Sequence, residues 1–374
     1  MQRSIYFCLA ILAVLAFQPI QAQQVYLPVS SESETAVKLY QEATDARYNY
    51  NWDQMWERFN KAIEEDPDFF MAYFRAAMVN WGWQNKQYFD ENYSKAMACK
   101  GELNKTEKIC RQILMALKEN PDAGLCSFGK LLAEAAPEVL EAYFWQGGLC
   151  NSAGDLEAAI AAYEKAESLN PELWGIQGLL GSAYKDANQM DKAEVVFDNM
   201  IQQIPDSPGP YFNMGNLLMA TGEYAEAEEM FRKSFQMAEG FRPAHRKAEL
   251  MAAMQVAARE TESFLRRDYD AWAACYRQSS IVYFAYTDKN NTWQYRGWEE
   301  LSKGVKEMFR ENPDPIEGEV TRSNFLFGVS DNVVRVTYDQ TVGDNTTMEL
   351  RVLVKVDGEY QITMMNAIGN SSYE

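Results

Sequence analysis

Histidine is almost absent: His245 is the only one among 374 residues. It reads as a surface helix residue, so no histidine-based catalytic dyad exists. Also missing are a nucleotide-binding glycine loop, a GxSxG nucleophile motif, a CxxC pair and any cluster with metal-ligand spacing, so neither cofactor nor metal is expected. Basic residues are few: 35 Lys and Arg stand against 54 Asp and Glu, a net charge of −19. A chain this acidic repels phosphate backbones, which excludes nucleic acid as a partner; a protein partner with a basic face remains compatible. Acidic pairs such as Glu64–Glu65 and Glu228–Glu229 read as solvated helix faces.

Long apolar runs are equally scarce. The only one, Ile5–Phe17, follows a start carrying Arg3 and precedes QPIQA. A short basic start, 13 apolar residues and a small residue at position 22 are the pattern of a cleaved export signal. A bilayer-spanning helix needs about 20 apolar residues. Residues 1–22 are therefore expected to be a signal peptide and the mature protein to be periplasmic or secreted, with no transmembrane segment. Cleavage removes Arg3 and no acid, taking the charge from −19 to −20. Cysteines 99, 110, 126, 150 and 275 remain. Beside apolar neighbours in helices they read as small buried hydrophobes, with Cys99–Cys110 or Cys126–Cys150 as the alternative for an exported chain.

What is abundant is recurrence. Prolines fall at 137, 171 and 205, glycines at 147, 181 and 215, alanines at 159, 193 and 227, and aromatics at 163, 197 and 231. Each column steps by 34 residues. Gly154, Asn188 and Gly222 mark the break between two helices of each copy, where a left-handed residue ends the first helix. The small columns let helices approach closely, and proline ends the second helix. One such pair cannot bury its apolar face alone, so several must stack.

This pattern, clearest in YFNMGNLLMATGEYAEAEEMFRKSF, resembles the tetratricopeptide repeat. The resemblance implies an all-α helical-hairpin solenoid over 23–255, with clear copies at 140–173, 174–207 and 208–241 and weaker ones at 36–69, 70–103 and 104–139. It also implies a concave groove for a protein or peptide partner, faced by Glu141, Phe144, Asn151, Ser182, Lys185, Phe212, Asn216 and Met219. The dense early aromatics, Trp52, Trp56, Trp81, Trp83, Tyr40, Tyr48, Phe69 and Phe70 among them, read as core.

The pattern changes after Met254. Helices give way to a strand pair turning at Asp288–Asn291, an amphipathic helix in WEELSKGVKEMF, and four strands closing with a hairpin at Asp357–Gly358. With AYTDKNNTWQYRGWEELSKGVKEMF and VDGEYQITMMNAIGNSS, this order resembles the SnoaL-like branch of the nuclear-transport-factor-2-like superfamily. The resemblance implies an α+β cone over 256–374, a curved antiparallel sheet around a pocket. Alternation along NVVRVTYDQ turns Val334, Val336, Tyr338 and Gln340 inward and Asp339 outward. The expected pocket is lined by Trp272, Tyr338, Gln340, Met364 and Asn366, with no buried carboxylate. The function read from the whole is an exported, non-catalytic interaction scaffold whose cone binds a small apolar ligand or forms a homodimer. The alternative is a small-molecule isomerase, dehydratase or cyclase using Asp or Tyr in the cone.

Overall fold

Positions 154, 188 and 222 all adopt the left-handed conformation that stops a helix: Gly154, Asn188 and Gly222 have φ of 77°, 58° and 89°. The computed structural model describes residues 25–82, 85–120, 124–238 and 241–369. The expected signal peptide and Trp83 lie outside the described residues. The chain divides into two compact units, one to Val196 and one from Phe197.

The first unit holds α1 (Glu34–Tyr48), α2 (Trp52–Glu65), α3 (Phe70–Gly82), α4 (Lys86–Ala98), α5 (Lys105–Glu119), α6 (Cys126–Ala135), α7 (Leu140–Ser152), α8 (Leu156–Leu169), α9 (Trp174–Asp186) and the start of α10 (Met190–Gln203). Neighbouring helices pack against one another, α1 on α2, α3 on α4, α6 on α7 and α7 on α8 most extensively. The two indistinct copies, 70–103 and 104–139, are each a helix pair as well, α3–α4 and α5–α6. Some starts are capped by side chains: Ser33 accepts from the Ala36 N–H, and Asn104 and Glu107 form a reciprocal capping box at α5.

The 34-residue columns lie inside. Ala159, Ala193 and Ala227 are fully buried, as are Phe197 and Phe231. A Cβ added at Gly147 would stand 2.4 Å from the Tyr163 ring, and one at Gly215 would stand 2.8 Å from the Phe231 ring. The small residue of one helix is thus the seat for the aromatic of the next. The early aromatics are core as expected: Tyr40, Tyr48, Phe59, Phe69 and Phe70 are buried and Trp52 and Trp56 pack against them.

The cysteine reading needs one correction. Cys126 and Cys150 form a disulfide that ties α6 to α7, while Cys99, Cys110 and Cys275 are free and buried. Adjacent antiparallel helices bring these two Cα atoms to 4.1 Å, a proximity that helical burial alone did not reveal.

The second unit continues with α11 (Pro208–Thr221), α12 (Tyr224–Met237), α13 (Arg242–Leu265) and α14 (Tyr269–Ala273). Then come β1 (Tyr283–Thr287), β2 (Thr292–Arg296), α15 (Trp298–Glu311), β3 (Val320–Ser330), β4 (Val333–Val342), β5 (Asn345–Val356) and β6 (Glu359–Gly369). The boundary expected at 255–256 falls inside α13, which runs unbroken through it. The last repeat pair shares a core with the sheet domain: Tyr224, Ala227 and Phe231 lie in one cluster with Met251, Trp272, Val336 and Ile362. The sheet order is β2-β1-β6-β5-β4-β3, antiparallel except for a parallel join between β1 and β6. The Asp357–Gly358 turn has φ of 52° and 92°, as a two-residue hairpin requires.

Gly147→Val tests the close seat. The added branch meets the Tyr163 ring, and overpacking of this kind costs about 1–3 kcal/mol. The variant should melt several degrees lower, and Tyr163→Leu in the same chain should recover part of the loss. An unchanged melting temperature contradicts the seat.

Candidate functional site

The residues expected to face the solenoid groove separate into three groups. Glu141 and Phe144 are sealed inside the first unit. Glu141 is paired with Arg75, and both are fully buried. Tyr40 Oη and Trp145 Nε1 donate to Glu141 Oε1, and the Leu27 N–H donates to Oε2 at 2.8 Å. The Glu141 N–H in turn donates to the carbonyl of Val25. The stretch preceding α1 therefore lies against the start of α7, where a groove ligand was expected. Phe212, Asn216 and Met219 pack beneath α13. Lys247 Nζ donates to Asn216 Oδ1 at 2.5 Å, and the Phe212 ring lies 5.6 Å from Phe231. Asn151, Ser182 and Lys185 are half-buried and stay at the surface of the first unit. Ser182 is bonded to the Gly178 carbonyl, Lys185 pairs with Asp186, and the Asn151 amide oxygen is buried without a partner.

The cone holds a cavity of about 1320 Å³ between the concave face of the sheet, α15 and the end of α13. Its position follows from strand register. Residues directly opposed in an antiparallel pair share a face. Val336 faces Arg351, Tyr338 faces Glu349, and Gln340 faces Thr347. Since Val336 and Tyr338 point inward, Glu349 and Arg351 do too. Alternation in β4 was read correctly: Val334, Val336, Tyr338 and Gln340 are buried, and Asp339 turns outward to accept from Asn324.

Of the five expected lining residues, Gln340 alone lines the cavity. Trp272 and Tyr338 are buried behind it, Trp272 between Tyr276 and Trp298 and Tyr338 against Phe325. Met364 and Asn366 point to the outer face. The cause is a bulge: Val352 pairs with Met364 but Leu353 pairs with Ile362, leaving Thr363 as an extra residue in β6. One extra residue reverses every side chain beyond it, so Met365 and Ala367 are inside while Met364 is 37% exposed.

The expectation of no buried carboxylate is overturned. Glu260 and Glu349 are each 3% exposed and both line the cavity with Arg351. Arg351 donates from Nη2 to Glu260 Oε2 at 3.2 Å and from Nη1 to Glu349 Oε2 at 2.5 Å. Glu260 Oε1 also accepts from Trp272 Nε1 and Tyr276 Oη, both at 2.9 Å, and Glu349 Oε1 accepts from Thr347 at 2.6 Å. All four carboxylate oxygens are thus engaged. Burial, the Glu260 charge and its hydrogen bond push the Tyr276 phenol well above its ordinary pKa. Burial pushes Tyr338 to about 12, and its hydroxyl has no partner. Neither phenol supplies a base near neutral pH.

Aromatic rings make the far wall. Phe284 and Tyr295 are cross-strand neighbours 6.0 Å apart, and Tyr286 and Trp293 form a second pair at 5.7 Å. A Cβ at Gly304 would meet the Tyr295 ring at 2.4 Å, so this glycine lets the ring lie against the backbone of α15. On the outer face, Leu326, Met348 and Met364 are exposed beside the half-buried Leu350 and Val352.

Family models of the tetratricopeptide repeat match residues 151–208 and 209–241. The chain carries tetratricopeptide repeats. A solved tetratricopeptide protein from Thermus thermophilus is 16% identical, over 58% of this chain and 98% of its own, with a TM-score of 0.35. The cone has the expected order of strand pair, helix and four-strand meander. Similar solved structures include an NTF2-like protein from Shewanella oneidensis (20% identity, 31% of this chain, 96% of its own, TM-score 0.24). A cystatin-like-fold protein from Nostoc punctiforme is 16% identical over 33% of this chain and 91% of its own, with a TM-score of 0.27. No curated protein matches the chain. Among the described residues, no helix is long and apolar enough to cross a membrane.

The repeats and cone are joined by Glu249 of α13, which accepts from Lys355 Nζ of β5 at 2.9 Å and Tyr360 Oη of β6 at 2.8 Å. Burial alone would raise its pKa, but these donors and Arg232 hold it below the ordinary 4.5. A carboxylate depressed in the folded state adds stability above its unfolded pKa and loses it as pH falls through the folded value. Glu249→Gln should therefore melt below the wild type at pH 7, with the gap closing as pH drops below about 4.5. Equal melting temperatures at pH 7 would show that Glu249 does not brace the sheet.

Proposed function

We propose that this chain is an exported, non-catalytic scaffold. Its repeats engage a protein partner and its cone holds a small ligand within the concave cavity. The observation that carries the non-catalytic reading is the state of the two carboxylates in the cavity. A general base has to come within about 3 Å of the proton it removes. Glu260 and Glu349 are both tied to Arg351, and Trp272, Tyr276 and Thr347 donate to their other oxygens, an arrangement that favours a structural charge-paired bridge. Export is supported by the signal-like start and by the Cys126–Cys150 bridge, since structural disulfides persist in oxidising compartments. For the partner face, Asn151, Ser182 and Lys185 are favoured over Glu141 and Phe144, whose side chains are spent internally. The unpartnered apolar outer face of the sheet supports self-association of the cone: Leu326 is 74% exposed there.

A photo-crosslinking amino acid placed separately at Ser182 and Met364 in the full chain, in the cells that make it, tests both surfaces. Position 182 should give a discrete adduct with a different protein, and position 364 an adduct of twice the chain mass. Adducts no different from those of an outer-helix control such as Lys118 would contradict the proposal.

A further inference from the structure

The cone's cavity carries a charge and a wall that together select a ligand class. At its floor, two carboxylates share a single guanidinium. Acidic groups therefore outnumber basic ones at the floor, two carboxylates to one guanidinium. An anionic ligand approaching Arg351 also meets the two carboxylates that flank it. The mouth has the same sign: Glu300, Glu307, Glu311 and Asp344 line it against Lys303 alone. Nearby stand the four rings of Phe284, Tyr286, Trp293 and Tyr295, turned to the inside of the sheet by the β1–β2 register. Aromatic faces attract organic cations, tryptophan most strongly, and the same rings accommodate an apolar body.

We infer that the cavity binds an organic cation, an amine or quaternary ammonium with an apolar body. Its charged end meets the acidic and aromatic lining and its tail lies along the rings. The inference rests on the reading of the cone as a ligand-binding module and narrows that reading from an apolar ligand to a cationic amphiphile.

The test uses the full chain and three probes sharing an octyl tail: octyltrimethylammonium, octyl glucoside and octyl sulfate, each below its micellar concentration and at physiological salt. Calorimetry should show the ammonium probe binding at one site per chain, about tenfold or more tighter than the glucoside, with the sulfate weakest. Trp293→Ala changes a half-exposed residue of an edge strand. It should weaken the ammonium probe by several-fold more than the glucoside. Glucoside or sulfate binding as tightly as ammonium, or an equal loss for both probes in Trp293→Ala, overturns the cation assignment and leaves ligand binding standing. Ammonium bound at many sites per chain also overturns it, because that reports general attraction to an acidic protein. Failure of all three to bind removes the ligand-binding reading and this inference together.

Discussion

Arg351 sits between Glu260 and Glu349, and much of the second unit is arranged around that contact. Ions leave water for a protein interior at a cost of several kcal/mol each, and only close pairing with full hydrogen bonding offsets it. Here the set is completed by Trp272 and Tyr276, which reach Glu260 from the segment after α13, and by Thr347. The contact fastens α13 to the concave face of β5. It also puts polar side chains where a small domain would ordinarily pack aliphatic ones, and the cavity remains open above them.

The first unit repeats the device. Arg75 and Glu141 join α3 to α7, again with a tryptophan and a tyrosine donating to the carboxylate. There the result is closure. The rings of Tyr40, Phe144 and Trp145 surround the guanidinium, and the chain before α1 completes the carboxylate's partners. One chemical motif thus seals a repeat stack in one unit and floors a cavity in the other. The difference lies in the supporting element: neighbouring helices close on a buried pair, whereas a curved sheet holds its strands away from α15.

The repeat was legible because its signal is local and recurrent. Gly147 and Tyr163, or Gly215 and Phe231, sit sixteen residues apart and meet within a single helix pair, so spacing alone predicts their contact. The cone's order of elements was legible for the same reason, down to the Asp357–Gly358 turn. The site was not, and two features explain why. The bulge at Thr363 adds one residue without any glycine or proline to announce it, and it carries Met364 and Asn366 to the wrong face. In β5 the alternation is inverted: Met348, Leu350 and Val352 face outward while Glu349 and Arg351 face in. Hydropathy gives the opposite answer. Counting back from the hairpin between β4 and β5, which opposes Glu349 to the inward Tyr338, would have found it. Glu141, Phe144, Phe212, Asn216 and Met219 are drawn inside by tertiary context, because single-repeat register cannot show that α13 or the stretch just before α1 packs over them.

The central claim is that a buried guanidinium shared by two carboxylates holds the cone together. Unfolding of Arg351→Met, compared with Arg351→Met combined with Glu260→Gln and Glu349→Gln, measures this most directly. Removing the arginine alone strands two buried carboxylates and should cost about 3–5 kcal/mol, with the triple variant regaining a substantial part. If Arg351→Met is as stable as the wild type, or if neutralising both glutamates restores nothing, the cone is not organised around this contact.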